Sequence, residues 1–301
     1  KVAIIGLGVM GRIHYRVLST LPTMEVAALC DPRVDTALAG RWYERVDDLP
    51  GGKEIAAAVV AVPTPVHADV ALACARRGLD LFIEKPVAAS VEQGERILAA
   101  VNEHGVRSAV GHVERFNPVV QALRNELRGK EILSISCTRV GHSPPRITDV
   151  GVLSDLAVHD IDLLSFVTGK RILKTTIYKS TTTGRIEDNA NLSFELDGGT
   201  LGVIATNWLT PFKKRRIEVT TSDAYYEADL ISQELTAFSD YKDNDTYLTR
   251  TCRVAKGEPL RNELSAFADY VAGGERGELA SIEEGLRTIR VLRDAHYPSN
   301  P

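Results

Sequence analysis

Three side chains within one short segment have the types and spacing for acid–base chemistry. In residues 153–164 (L-S-D-L-A-V-H-D-I-D-L-L), Asp155, His159 and Asp162 recur at intervals of four and three. At 100° per residue a helix gathers them within a sector of roughly 60°. The rest of its circumference is apolar: Leu156, Ala157, Val158, Ile161, Leu163 and Leu164. Such a helix is buried, so its polar stripe must face partners, a ligand or water in a cleft. An imidazole titrating near pH 6.5 suits a general base, and the carboxylates could orient it or a substrate hydroxyl. A hydrogen-bonded core histidine and a divalent-metal site on Asp-x-x-x-His-x-x-Asp are the competing readings. Asp160 points about 140° from Asp155, into the apolar arc. It is expected to be held by backbone donors or a basic partner, or to face a second part of the substrate.

The elements that must serve this stripe lie upstream. An apolar run, Val2–Ile5, feeds into Gly6-Leu7-Gly8-Val9-Met10-Gly11, and a helix is expected over 12–20. Strand, G-x-G-x-x-G and helix in this order form a dinucleotide-binding fingerprint. Gly6 makes the tight turn, Gly8 with Val9 and Met10 brings backbone N–H groups to a pyrophosphate, and Gly11 lets helix pack on strand. A second strand over 25–30 ends at Asp31, 20 residues after Gly11, where a carboxylate accepts from ribose hydroxyls and favours NAD. Arg33 stands close enough to accept a 2′-phosphate, which keeps NADP open, and Asp31 could instead be a turn residue before Pro32.

Strand–helix alternation continues. Strands are expected over 55–62, 79–83 and 106–110. Thr64 and Pro65 are read as N-cap and first residue of a helix ending at Gly78, and Ser90 with Gln93 as a capping box for the next. Repeats of this kind build a doubly wound parallel sheet with ligands at the carboxyl ends of its strands. Lys85 sits at such an end and could hold a substrate oxygen that gains charge. The plainer alternative is a solvated lysine paired with Glu84.

A chain of 301 residues can fill two cores of ordinary size. A formal net charge of −4 argues against a nucleic-acid or anionic-membrane binder. Four scattered cysteines (Cys30, Cys74, Cys137, Cys252), with no C-x-x-C pair, point to reduced thiols in a cytoplasmic protein. No apolar run approaches the roughly 18 residues of a membrane span, and no signal peptide is visible.

The second half changes texture. Residues 111–118 (G-H-V-E-R-F-N-P) are the expected crossover, with Asn117 capping a helix that begins at Pro118. Strands follow over 132–140, 173–183, Asn189–Leu196, 200–208 and beyond 217. A loop runs through His142-Ser143-Pro144-Pro145-Arg146, and Asp197-Gly198-Gly199 signals a hairpin. The sheet is expected to be large, open and mostly antiparallel, with one face under helices and the other a natural surface for a homodimer or homotetramer. In N-W-L-T-P-F-K-K-R-R (207–216), the basic run could clamp a diphosphate or carboxylate. Alternatively it is a solvated charge run on an edge strand. Ser281 and Glu284 form a capping box for the last helix.

The fingerprint Gly6–Gly11, the P-T-P-x-x-H run from Pro63 to His67, the E-K-P at 84–86 and the later D-x-x-x-H together resemble the Gfo/Idh/MocA oxidoreductases. The resemblance implies an N-terminal Rossmann domain (1–115), a C-terminal α+β substrate and oligomerisation domain (116–280), and a last helix (281–297) packing toward the first. It also implies NAD(P)-dependent oxidation of a sugar or polyol, with Lys85, Asp155 and His159 catalytic and no metal required. Pro63, Thr64, His67, Glu84 and Lys85 would join the glycines, Asp31 and Arg33 at the cofactor. Arg115 and Phe116 match a basic-aromatic pair lining the family's cleft, although an inter-domain tether is an even alternative, and Asp162 could bind another substrate hydroxyl. The runs D-L-A-V-H-D-I-D, E-R-F-N-P and N-W-L-T-P-x-K-x-R resemble the nucleotide-sugar branch, which includes UDP-N-acetylglucosamine 3-dehydrogenases. On that likeness Lys213 and Arg215 become diphosphate ligands. Inositol or free-sugar oxidation is the alternative. The family's D-x-G-x-H has Ala157 in place of its glycine, and its glycine-rich lead-in is reduced to Asp149-Val150-Gly151. Some proteins of this fold only sense the dinucleotide. They would be expected to lack the lysine/aspartate/histidine set, which this chain retains.

Overall fold

The computed structural model describes residues 1–142, 150–182, 186–240 and 246–298, so Ser143 to Arg146 of the expected loop and Asp149 of the lead-in lie outside the described residues. The chain divides into two compact units, each with its own core. No helix among the described residues is long and apolar enough to cross a membrane.

The first unit comprises Lys1–Val113 and Glu258–Ile289. Its sheet contains β1 (Val2–Ile5), β2 (Val26–Cys30), β3 (Arg41–Tyr43), β4 (Ala57–Val60), β5 (Asp80–Glu84) and β6 (Ser108–Gly111). All pairs are parallel, in the order β3-β2-β1-β4-β5-β6, the doubly wound order of a dinucleotide-binding sheet. Between the strands run α1 (Val9–Leu18), α2 (His67–Arg76) and α3 (Val91–His104). β1 and β4 are buried at every position, as a sheet covered on both faces requires.

The capping residues act partly as expected. Ser90 Oγ accepts from Gln93 N, but the Gln93 amide reaches back to Ala89 N. Thr64 caps nothing. It opens a short 3-10 turn, Thr64–Val66, and α2 begins at His67 without a side-chain cap. Two prolines flank Thr64, and they hold this stretch tighter than an α-helix.

Residues 258–280, expected in the second unit, belong to the first. There α6 (Pro259–Val271) stacks Phe267 edge-on against Phe82 of β5, ring centroids 5.3 Å apart. The last helix, α7 (Ile282–Asp294), has the full reciprocal capping box of Ser281 and Glu284. Its residues Ile282 and Leu286 lie in the first core, whereas Val291 and Leu292 pack against the second.

The second unit holds Glu114–Gly257 and the chain from Arg290. After α4 (Pro118–Glu126), capped by Asn117, come β7 (Ile132–His142), α5 (Val158–Thr168), β8 (Ile172–Ser180), β9 (Asn189–Leu196) and β10 (Leu201–Asn207). Then follow β11 (Leu209–Thr221), β12 (Ala224–Asp229), β13 (Glu234–Ser239) and β14 (Leu248–Cys252). The sheet order is β14-β13-β12-β11-β7-β10-β9-β8, antiparallel except where β10 runs parallel to β7. β11 is therefore an inner strand, although its pairing with β12 begins only at Arg216, so Lys213 and Lys214 lie beyond that pairing.

Candidate active site

In the first unit the glycine turn is fixed by contact. Gly6 has φ +86°, and a Cβ on Gly11 would lie 1.8 Å from Gly6 O. Gly8 faces open space and caps α1 with no side-chain hydrogen bond, while Val9 is half exposed. The N–H groups at Gly8, Val9 and Met10 are thus presented by a helix N-terminus with positive character, which suits a pyrophosphate. Asp31 ends β2 and reaches back: its Oδ2 accepts from Leu7 N at 2.8 Å, and its Oδ1 accepts from Arg33 N at 2.9 Å. The carboxylate keeps lone pairs for ribose hydroxyls. Arg33 is exposed, and Arg12 on α1 pairs with Asp35 of the same loop. These features fit a dinucleotide and favour one without a 2′-phosphate.

At the carboxyl ends of β4 and β5 the expected cofactor residues differ in exposure. Pro63 is exposed and Thr64 and Lys85 are half-buried, but His67 is only 1% exposed. Its Nε2 lies 2.9 Å from Val62 O and its Nδ1 lies 3.0 Å from Pro86 O. Burial holds this imidazole below its ordinary pKa. Glu84 is also buried. Its Oε1 accepts from Nε2 of His14 on α1 at 2.7 Å, and its Oε2 accepts from Lys85 N at 3.1 Å. Burial pushes the Glu84 carboxyl up, yet the His14 hydrogen bond and the charges of His14 and Lys85 outweigh it and leave the group below its usual range. His67 and Glu84 are thus both buried, and Glu84 accepts from His14 and from the lysine's backbone.

In the second unit the expected helix carries a π turn, Leu153–Ala157, before α5. A π turn adds a residue to its loop of backbone, so the 100° spacing behind the polar stripe does not hold across it. Glu187 sets the entry to this turn: its carboxylate occupies the place where a Cβ on Gly151 would stand. Asp155 and His159 are half-buried. Asp162 is buried and does not share their exposure: Arg115 Nε and Nη2 donate to its two oxygens at 2.7 and 2.5 Å. Arg115 also stacks on Phe166, 4.8 Å from the ring centroid. Arg115 and Asp162, both expected at the substrate, form a buried ion pair with each other.

Asp160 has the basic partner expected of it, although the π turn voids the angle from Asp155 on which that expectation was drawn. Arg139 of β7 donates Nε and Nη2 to it at 2.9–3.1 Å and Nη1 to Glu114 at 2.9 Å. Burial lifts the Asp160 carboxyl, and the charge and hydrogen bonds of Arg139 oppose that lift. Glu114 takes a second donor in Asn117 and a third in Arg215, whose Nη1 lies 3.2 Å away. Arg215 shares its strand face with Ile217 and Val219 and is half-buried. Burial and the charge of Arg139 draw its pKa down, while Glu114, Asp160 and Asp155 support the cation. Lys213, two residues earlier, is exposed.

The sequence reading passed over His14, Glu114 and Arg139. Arg139 had a signal: it occupies the inward phase of β7, in step with Ile135 and Cys137. His14 had one too, on the buried face of α1 three residues after Gly11. Among the described residues no group of three or more His, Cys, Asp or Glu side chains is arranged to hold a metal ion.

Residues 1–112 match the family described as "Oxidoreductase family, NAD-binding Rossmann fold", and residues 131–227 match "GFO/IDH/MocA C-terminal domain". The chain belongs to the Gfo/Idh/MocA oxidoreductase family. Like its relatives in that family, it is an NAD-dependent dehydrogenase acting on CH–OH groups. It is 26% identical to UDP-N-acetylglucosamine 3-dehydrogenase of Acidithiobacillus ferrooxidans, over 78% of this chain and 75% of the relative. It is likewise 26% identical to inositol 2-dehydrogenase of Rhizobium meliloti, over 98% and 95%. The solved structure of the Acidithiobacillus enzyme superposes with a TM-score of 0.89 at 22% identity, over 98% of this chain and 96% of that one, which speaks for the fold.

Proposed function

We propose that the protein oxidises a secondary alcohol of a nucleotide sugar, in the manner of a UDP-N-acetylglucosamine 3-dehydrogenase. The observation that carries this reading is the environment of Arg215. A cation on the helix-covered face of β11 is braced by Glu114, influenced by the charge of Asp155 and preceded by exposed Lys213. A half-buried guanidinium with donors left over suits a phosphate. Bound NAD would supply the acceptor for the hydride of the carbinol carbon. His159 takes the hydroxyl proton, Asp155 orients the imidazole or the substrate, and the Lys85 ammonium holds the oxygen as charge develops. Gly6, Gly8, Val9, Met10, Gly11 and Asp31 hold the dinucleotide.

The test is NADH formation with UDP-N-acetylglucosamine, UDP-glucose, myo-inositol and glucose. Turnover with the UDP-sugars, reduced about a hundredfold or more in Lys85→Met and His159→Ala, supports the reading. Arg215→Met should raise KM for the UDP-sugar about tenfold. A preference for myo-inositol that Arg215→Met leaves unchanged would favour the polyol chemistry of the inositol relative. Tight NAD binding with no turnover in the panel would favour a sensor. We also propose that the open face of the eight-stranded sheet, where Leu201 and Val203 are exposed, joins copies of the chain.

A further inference from the structure

Two histidines on separate helices of the first unit reach the tripeptide Glu84-Lys85-Pro86, one at each end. His14, fully buried on α1, donates Nε2–H to Glu84 Oε1, and the other oxygen of that carboxylate accepts from the Lys85 backbone N–H. The ring of His14 is itself seated edge-on against Phe82, with centroids 5.5 Å apart. His67, at the start of α2, places Nδ1 against Pro86 O and Nε2 against Val62 O at the end of β4. One helix thus fixes the lysine's N–H through a carboxylate, and the other fixes the carbonyl of the next residue.

We propose that His14, Glu84 and His67 are positioning residues for Lys85, locking the backbone from which its side chain projects. The proposal rests on the reading of Lys85 as catalytic. Its physical basis is leverage: a lysine amine stands at the end of a flexible four-carbon stem, so only a fixed backbone presents it in one place. An ångström of misplacement can cost on the order of a hundredfold in rate. Ordinary core packing would also bury these histidines. The two roles separate because each nitrogen of His67 has a different partner. A neutral ring has one N–H, and the proposal assigns it to Nδ1 and Pro86.

Asparagine places its amide near Nδ1 and glutamine near Nε2. His67→Asn therefore keeps the Pro86 hydrogen bond, and His67→Gln loses it and places a donor at Val62 O instead. The full-length protein would be ¹³C-dimethylated at its lysines, with the Lys85 resonance assigned by its loss in Lys85→Arg. NADH affinity would be read by fluorescence, and turnover with UDP-N-acetylglucosamine and myo-inositol as probes. The expected result is a displaced Lys85 resonance and about tenfold lower kcat in His67→Gln, with NADH affinity within about threefold, while His67→Asn stays near the parent on all three. If His67→Gln does not fold, Glu84→Gln, which keeps the shape and loses the charge, must displace the Lys85 resonance in its place. Asn and Gln variants behaving alike, or a Lys85 resonance unmoved in both His67→Gln and Glu84→Gln, would overturn the proposal. Full turnover in Lys85→Met would instead remove the catalytic reading, and the resonance would still decide whether the backbone is held.

Discussion

Asp160 gives both carboxylate oxygens to the guanidinium of Arg139, one residue beyond His159 in the sequence. The pair ties α5 to the middle of the large sheet and so fixes the rotation at which His159 is presented. Removing one partner strands the other charge in a buried place. Asp160→Asn should therefore lose about 3–5 kcal/mol of stability, and Arg139→Met, which also takes a donor from buried Glu114, should lose at least as much. Urea unfolding of the two variants beside the parent decides it. A single substitution costing under about 1 kcal/mol would mean that the pair does not hold the helix.

Asp31 has two tasks, and a conservative change separates them. Asp31→Asn keeps an acceptor for Leu7 N but loses the charge that disfavours a 2′-phosphate. Fluorescence titration should show NADH binding weakened and NADPH binding strengthened, each about tenfold. Adding Arg33→Ala should cancel the NADPH gain. An unchanged preference would place cofactor choice elsewhere.

The carboxyl of Glu84 predicts an acid limb of stability. Its folded pKa is depressed below the ordinary 4.5, with burial opposing and His14 and Lys85 outweighing it. A depressed carboxylate contributes stability above its unfolded pKa and loses it as pH falls through the folded value. The thermal midpoint of the parent should exceed that of Glu84→Gln at pH 5–7, and the gap should close as pH drops below about 4.5. A gap independent of pH would assign the difference to packing.

Leu201 and Val203 stand on the uncovered face of β10 in the middle of the sheet. Leu201→Lys with Val203→Lys should dissociate a self-associated form in light scattering and leave thermal stability of the dilute chain within about 1 kcal/mol. A parent that is monomeric at high concentration would remove the proposed interface.

Much of the first unit was legible because its signals are local. The glycine fingerprint, the apolar strands and the helix stops each occupy a few adjacent residues. β3 was not: Arg41-Trp42-Tyr43 is three residues long, and none of them is buried. α6 was also missed, although Pro259 at its start and Leu260, Leu264, Phe267 and Ala268 at helical spacing mark it; only its contact with Phe82 has no local sign. In the second unit, alternation marked most strands but could not give their order, so β11 read as an edge. The polar stripe was drawn with a single helical period, and a π turn breaks that period between Asp155 and His159. Asp162 was placed beside them although its partner, Arg115, lies 47 positions away in the sequence. Ion pairs of that separation have no local signature.

The first unit is not continuous in sequence, and this orders its assembly in time. The six strands β1–β6 leave the ribosome first, but Phe267, the partner of Phe82, and Ala280, which bridges to Val110, come only after Glu114–Gly257 has been made. At roughly 5–20 residues per second that interval is on the order of ten seconds. For its duration the nascent sheet exposes the apolar surface that α6 and α7 later cover. A pulse of protease on stalled chains ending at 257 should cut within the first unit, and chains extended past 289 should resist.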